Sequence, residues 1–197
     1  ATIKSSFTNL LLTLTIVTLV AALALGYVYQ WTKEPIAQAQ LAKQLKAIAS
    51  VVQRYDNNPV QEMFKVATPD GNDSLQFYPA TKEGRRIGVA IMTKSSKGYS
   101  GDIRIMVGFN IKGEILNIVV IEHKETPGLG SKMNTPSFLH QFLGRDPGQV
   151  KLKVRKDGGD IDAITGATIS SRAFSEAVQL AYDTFKSSEV YEPGGNK

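Results

Sequence analysis

Two short loops hold the residues whose types and spacing suit chemistry. The first reads Asp162-Ala163-Ile164-Thr165-Gly166-Ala167-Thr168 and stops where a helical pattern starts. A hydroxyl there closes a flexible Gly-Ala turn close to a helix N-terminus. The free N–H groups of such a terminus form a site for a phosphate or another anion. The same residues also suit plain capping of the helix by Thr168, Ser170 or Ser171, which on local physics is the commoner outcome. The second loop reads His123-Lys124-Glu125-Thr126-Pro127-Gly128-Leu129-Gly130-Ser131-Lys132 and follows a strand-like run. Two glycines and a proline fix an unusual backbone that can approach a ligand closely. Leu129 stands exposed on such a loop unless something flat covers it. The alternative is a long hairpin loop with Leu129 tucked into the core.

Both loops need elements to hold them. Strand-like runs cover Leu75–Ala80, Ile87–Thr93, Ile103–Asn110 and Ile115–Glu122, and the last two are joined through Lys112-Gly113, a hairpin signal. Thr135-Pro136 opens a short helix through Phe142, and Val150–Val154 reads as a further strand. A final helix spans Arg172 to Lys186 with Ala173, Ala177, Leu180, Ala181 and Phe185 inward, capped by Ser170 or Ser171. Residues 191–197 are expected to fray. Upstream, Asn-Asn-Pro and Pro-Asp-Gly mark turns between Asn57 and Asp73. The pattern is that of an α+β domain with an antiparallel sheet and flanking helices.

Ahead of this domain, Leu10 to Tyr29 contains no charged residue. A bilayer core is crossed by about 20 such residues in a helix. Tyr27, Tyr29 and Trp31 gather at its far end like an interfacial aromatic belt. Lys4 before the run, with Lys33 and Glu34 after it, thinly favours a cytoplasmic N-terminus. Ala22-Leu23-Ala24 imitates a signal cleavage site, but a retained single-pass anchor is the expectation. Uniform apolarity on all faces argues against a buried core helix. Pro35 then opens a second helical stretch, Ile36 to Arg54, where its missing N–H costs nothing, or that stretch continues the membrane helix as a kinked stalk. The expected organisation is an anchor over 1–31, a juxtamembrane helix or stalk over 32–56, and a domain over 57–197.

The 197 residues carry 42% hydrophobic and 21% charged side chains, which excludes disorder and collagen. The absence of cysteine excludes a disulfide scaffold, thiolate-bound iron–sulfur clusters and c-type haem attachment. A net charge of +5 without clustering gives no ground for a nucleic-acid partner. His123 and His140 are the only histidines, too few for a metal site without carboxylate help. Asp157, Asp160 and Asp162 beside Gly158 and Gly159 are similar to a calcium loop but lack its closing Glu, so no metal is expected. No nucleophile–base–acid triad is visible, and no catalytic residue is expected.

Taken together, the two loops resemble a known family. Asp162-x-x-Thr165-Gly166-Ala167-Thr168 is similar to the flavinylation motif of FMN-binding domains in two redox pumps. These domains are RnfG of the Rnf complex and NqrC of the sodium-translocating NADH:quinone reductase. Glu125-Thr126-Pro127-Gly128-Leu129-Gly130 resembles the family's second signature, and the chain length fits the Rnf member better. The resemblance implies a covalent FMN, esterified through its phosphate to Thr168 by a flavin transferase that uses FAD. It implies that Asp162 serves recognition by the transferase or metal-assisted transfer. Gly166, Ala167, Thr165, Glu125, Thr126, Gly128, Leu129, Gly130 and Lys132 follow as flavin contacts, with Leu129 and the Thr126–Gly130 backbone as one wall of the ring. A Lys132 ammonium near the ring would raise the flavin's potential. The implied role is electron carriage, without independent turnover, in an ion-pumping ferredoxin:NAD oxidoreductase. The domain would lie on the periplasmic side of a bacterial inner membrane, with polytopic membrane proteins of the complex as partners. One departure is Gly98-Tyr99-Ser100-Gly101, where the family often shows Gly-Tyr-Gly-Gly. The competing class is a membrane-tethered binding or scaffold module, which need not keep Thr168 in its Asp162 context.

Overall fold

The computed structural model describes residues 7–190. Two compact units divide the chain, Ala1–Lys43 and Gln44–Lys197. The first helix, α1, runs without a break over Phe7–Val51. It contains a window long and apolar enough to cross a membrane, with mean hydropathy 2.3 and none of it buried. Its threonines return their hydroxyls to the helix's own backbone: Thr13 donates to Asn9 O at 2.7 Å and Thr15 to Leu11 O at 2.9 Å. Polar side chains are thereby satisfied without water. Pro35 lies inside α1, so of the two readings the stretch continues the first helix and does not start a second. A proline here removes one backbone hydrogen bond, yet the residues on both sides stay helical.

In the second unit, five antiparallel strands form one sheet in the order β1-β2-β3-β4-β5. They are β1 (Phe64–Ala67), β2 (Ser74–Lys82), β3 (Arg85–Ser95), β4 (Ile103–Asn110) and β5 (Ile115–Glu122). The last four match the expected strands. β1 is an addition to them, since its four residues follow turn signals and offer too short a run to show a period. β2 and β3 are joined through Glu83 and Gly84, both with positive φ, which suits the twist of a tight hairpin.

One face of the sheet carries α3 (Thr168–Lys186). Phe109 of β4 stacks on Phe185 at 5.4 Å, and the Thr93 hydroxyl donates to Ala177 O at 3.1 Å. Phe138, Phe142 and Phe174 fill the space beside the one-turn helix α2 (Pro136–Leu139). That helix is shorter than the stretch to Phe142 expected from sequence. The other face is covered by the end of α1 and the residue after it: Ala47, Ile48, Val51 and Val52 pack with Tyr78, Ala80, Ala90 and Met106. Gly108 permits this contact, since a Cβ there would fall 2.2 Å from Val51 O.

The expected strand over Val150–Val154 does not form. Only a parallel bridge joins Val154 to Ile161. The segment hydrogen-bonds to its own loop instead of the sheet: Ile161 N–H donates to Lys153 O at 3.0 Å and Arg155 N–H to Ile161 O at 2.9 Å. The expected fraying over 191–197 lies outside the described residues.

Candidate functional site

α3 starts at Thr168, four residues before the Arg172 start read from sequence. Ser170 and Ser171 are therefore inside its first turn and do not cap it. Each hydroxyl is buried and engaged elsewhere: Ser171 accepts from Ile164 N–H at 2.9 Å and donates to Ala167 O at 2.9 Å, while Ser170 donates to Glu125. The N-cap is Ala167, which has no side-chain group to offer, and no side chain caps the helix. Among the described residues the Thr168 hydroxyl has no hydrogen-bond partner. The capping alternative is thereby removed, and a free hydroxyl stands at the positive end of a 19-residue helix.

The approach to Thr168 is held open by the loop before it. Gly166 takes φ +77°, a conformation glycine adopts without strain, and a Cβ added there would lie 3.2 Å from Leu129 Cδ2. The two loops singled out in the sequence therefore meet: Leu129 lies against Gly166, still 43% exposed. Ile169, the next residue of α3, is also exposed. Leu129 is not tucked into the core. Thr126 anchors its loop by accepting from Leu129 N–H at 3.2 Å and Ser131 N–H at 3.3 Å, and the Ser131 hydroxyl accepts from Gly128 N–H. Lys132 is exposed on the 3-10 turn Gly130–Asn134, which packs beside α3. Thr165 is exposed as well.

Asp162 is exposed and pairs with Arg155 at 2.6 Å. Its backbone is gripped by Gln141, whose amide accepts from Asp162 N–H at 2.6 Å and donates to Asp162 O at 3.2 Å. Asp157 takes both guanidinium contacts of Arg172, at 2.7 and 2.8 Å, and that hydrogen bond holds its carboxyl below the usual aspartate range. Asp160 accepts from Lys151 N–H at 3.0 Å. The three acids thus face three different partners. No cluster of His, Cys, Asp or Glu among the described residues is placed to hold an ion. Arg155, Arg172 and Gln141 have no signal in the sequence, because their partners lie 7, 15 and 21 positions away.

Glu125 is the one charged side chain among the expected flavin contacts that is buried. It is buried, with both carboxyl oxygens turned to protein donors. One donor is Ser100 N–H at 3.1 Å, in the turn where the sequence departs from the family's glycine. Ser100 is not among the residues with positive φ, so a side chain is accepted there without strain.

Comparison with known proteins adds identity to this geometry. Residues 98–183, from the Gly98 turn into α3, match the family model described as FMN-binding domain. The G subunit of an ion-translocating oxidoreductase complex from Shewanella baltica is 34% identical over 198 residues, covering 95% of this chain and 91% of that one. Its counterpart from Pseudomonas aeruginosa is 34% identical over 195 residues, covering 94% and 91%. Among solved structures, NqrC from Shewanella oneidensis is similar with a TM-score of 0.46 and 21% identity, over 62% of this chain and 66% of that one. The identity extends over nearly the full length of the first two relatives, and the chain belongs to the RnfG family, the G subunits of ion-translocating oxidoreductase complexes.

Proposed function

We propose that the chain is the electron-transfer subunit of a membrane-bound ion-translocating ferredoxin:NAD oxidoreductase, the Rnf complex, and that it holds FMN by a phosphoester to Thr168. The observation that carries this reading is the free Thr168 hydroxyl at the head of an uncapped helix, with Leu129 beside it on a facing loop. The residues present fit the group. Unpaired N–H groups of the first turn suit the one remaining negative charge of a phosphodiester, which a helix N-terminus favours by a few tenths to about 2 kcal/mol. Leu129 and Ile169 offer apolar surface for a flat ring. Thr165 and Lys132, both exposed, supply polar contacts to ring or ribityl oxygens. Bound FMN supplies one- and two-electron redox chemistry, and the chain's part is to hold and orient it.

The remaining features of the reading have simple physical reasons. Asp162, exposed before the Gly-Ala turn, is open to recognition by a flavin transferase. The anchor helix keeps the carrier beside the polytopic members of its complex, with the flavin domain over 57–197 on the periplasmic side. A covalent link prevents loss of a periplasmic flavin by dissociation. An exposed site lets electrons enter and leave through partner proteins.

The test is a denaturing gel under ultraviolet light, on protein from its native membrane beside Thr168→Val. The expected result is flavin fluorescence that survives denaturation in the wild type and is lost in the variant. A dark wild-type band, with the transferase present, overturns the reading.

A further inference from the structure

Glu125 is 5% exposed, and among the described residues it has no ion-pair partner. Its oxygens serve two separate segments. Oε1 accepts from Ser100 N–H at 3.1 Å, and Oε2 accepts from the Ser170 hydroxyl at 2.6 Å. The backbone closes tightly around the group. A Cβ at Gly98 would fall 2.8 Å from Oε1, and one at Gly130 would fall 2.6 Å from Oε2 and 2.7 Å from Ser170 Oγ. A buried acid is unfavourable where an apolar side chain would fill the same space, so packing alone does not account for it. Ser170 stands two residues after Thr168 in the first turn of α3, and Gly130 directly follows Leu129. One carboxyl group therefore ties the 98–101 turn, the 125–130 loop and the head of α3 to each other.

We propose that Glu125 is a positioning residue and not a flavin contact. It fixes the first turn of α3, and with it the Thr168 hydroxyl, against the loop that carries Leu129. This rests on the flavin reading of the site above. Its consequence is that the brace sets the orientation of the tethered ring, while the tether itself sits outside the brace.

The experiment uses the full chain in membranes that contain the transferase, as wild type, Ser170→Ala and Glu125→Gln. Ser170→Ala removes one arm of the brace. Glu125→Gln preserves both arms, because its amide oxygen accepts from Ser100 N–H and its amide N–H donates to the Ser170 hydroxyl. Gel fluorescence after denaturation measures loading. Visible-region circular dichroism per loaded flavin measures ring orientation. Hydrogen exchange in the flavin-free Thr168→Val background measures the brace without any cofactor. In Ser170→Ala, loading is expected to persist while the visible dichroism changes. Exchange is expected to rise about tenfold over 98–101, 126–130 and 168–171 together. Glu125→Gln is expected to match the wild type in all three readouts. Unchanged dichroism in Ser170→Ala overturns the proposal, as does faster exchange confined to 168–171. A dark wild-type gel overturns the flavin reading instead, and the exchange data still decide whether the brace exists.

Discussion

The two loops beside Thr168 differ in where their charged groups are held. The 155–167 loop is seated by buried Ile161 and Ile164, but its charged groups are tied on the outside. Its ion pairs are Arg155–Asp162 and Arg172–Asp157, with side chains from about one third to two thirds exposed, and its backbone is gripped by the Gln141 amide. The 125–131 loop is held from inside, by a buried carboxyl group between Ser100 and Ser170 with glycines packed against it. Exposed pairs work in high dielectric and are screened by solvent, so each contributes little. A buried group left without its partners costs more, because its desolvation is no longer offset. The difference amounts to a division of labour. The outer loop carries the Asp162–Thr168 motif and stays accessible. The inner loop holds Leu129 where the Gly166 turn of the outer loop meets it.

Two glycine substitutions should expose this contrast most strongly. Gly130→Ala puts a methyl group within van der Waals radii of Glu125 Oε2 and Ser170 Oγ, so the brace must shift. The expected loss is about 3 kcal/mol of folding stability. Gly158→Ala in the outer loop meets nothing within 4 Å, and only its φ of +77° opposes the change. Its expected loss is about 1 kcal/mol. Urea unfolding of the two variants checks the ratio. Equal losses would mean that the brace around Glu125 yields to the added methyl group.

The same contrast explains what can be read from the sequence. The four longer strands announce themselves by β-branched runs, the β4–β5 hairpin by Lys112-Gly113, and the anchor by its uncharged run from Leu10. The Asp162–Thr168 loop is legible because its residues are contiguous. Most of its supports are not. Gln141 reaches Asp162 across 21 positions, and Ser170 reaches Glu125 across 45. Local pattern holds no trace of such pairs. Glu125 is visible as part of a motif, but its burial depends on Gly98 and Gly130 approaching together, which spacing cannot show. Sequence places the start of α3 four residues late because Ser170 and Ser171 look like caps. In the fold their hydroxyls are claimed by Glu125 and by Ile164 and Ala167. Val150–Val154 has the composition of a strand, yet its backbone pairs with residues 160 and 161.

A smaller effect is expected from Gln141→Ala. It removes two hydrogen bonds to the Asp162 backbone, one accepted at 2.6 Å and one donated at 3.2 Å. Water replaces them at this exposed position, so the loss should be about 1 kcal/mol. The change should fall on the outer loop alone. Hydrogen exchange is expected to rise over 157–167 and to stay unchanged over 125–131. A rise in both loops would show that they move as one body and would dissolve the contrast.

The smallest effect is a dependence on pH that belongs to the outer loop. The Arg172 hydrogen bond, followed by its charge and that of Lys153, lowers the Asp157 carboxyl below its ordinary value. A group whose pKa is lower in the folded than in the unfolded chain contributes stability above its unfolded value. That contribution fades as pH falls from the ordinary aspartate value of about 3.9 through the lower folded one. Acidification through this window should therefore narrow the gap in melting temperature between wild type and Asp157→Asn. High salt at neutral pH should narrow the same gap, since both partners are exposed and the pair is screened. Ser170→Ala, which removes the α3 arm that holds the inner loop, should show no such dependence on salt, because its bond is buried. A salt response of equal size in both variants would place both loops in the same dielectric, against the division drawn above.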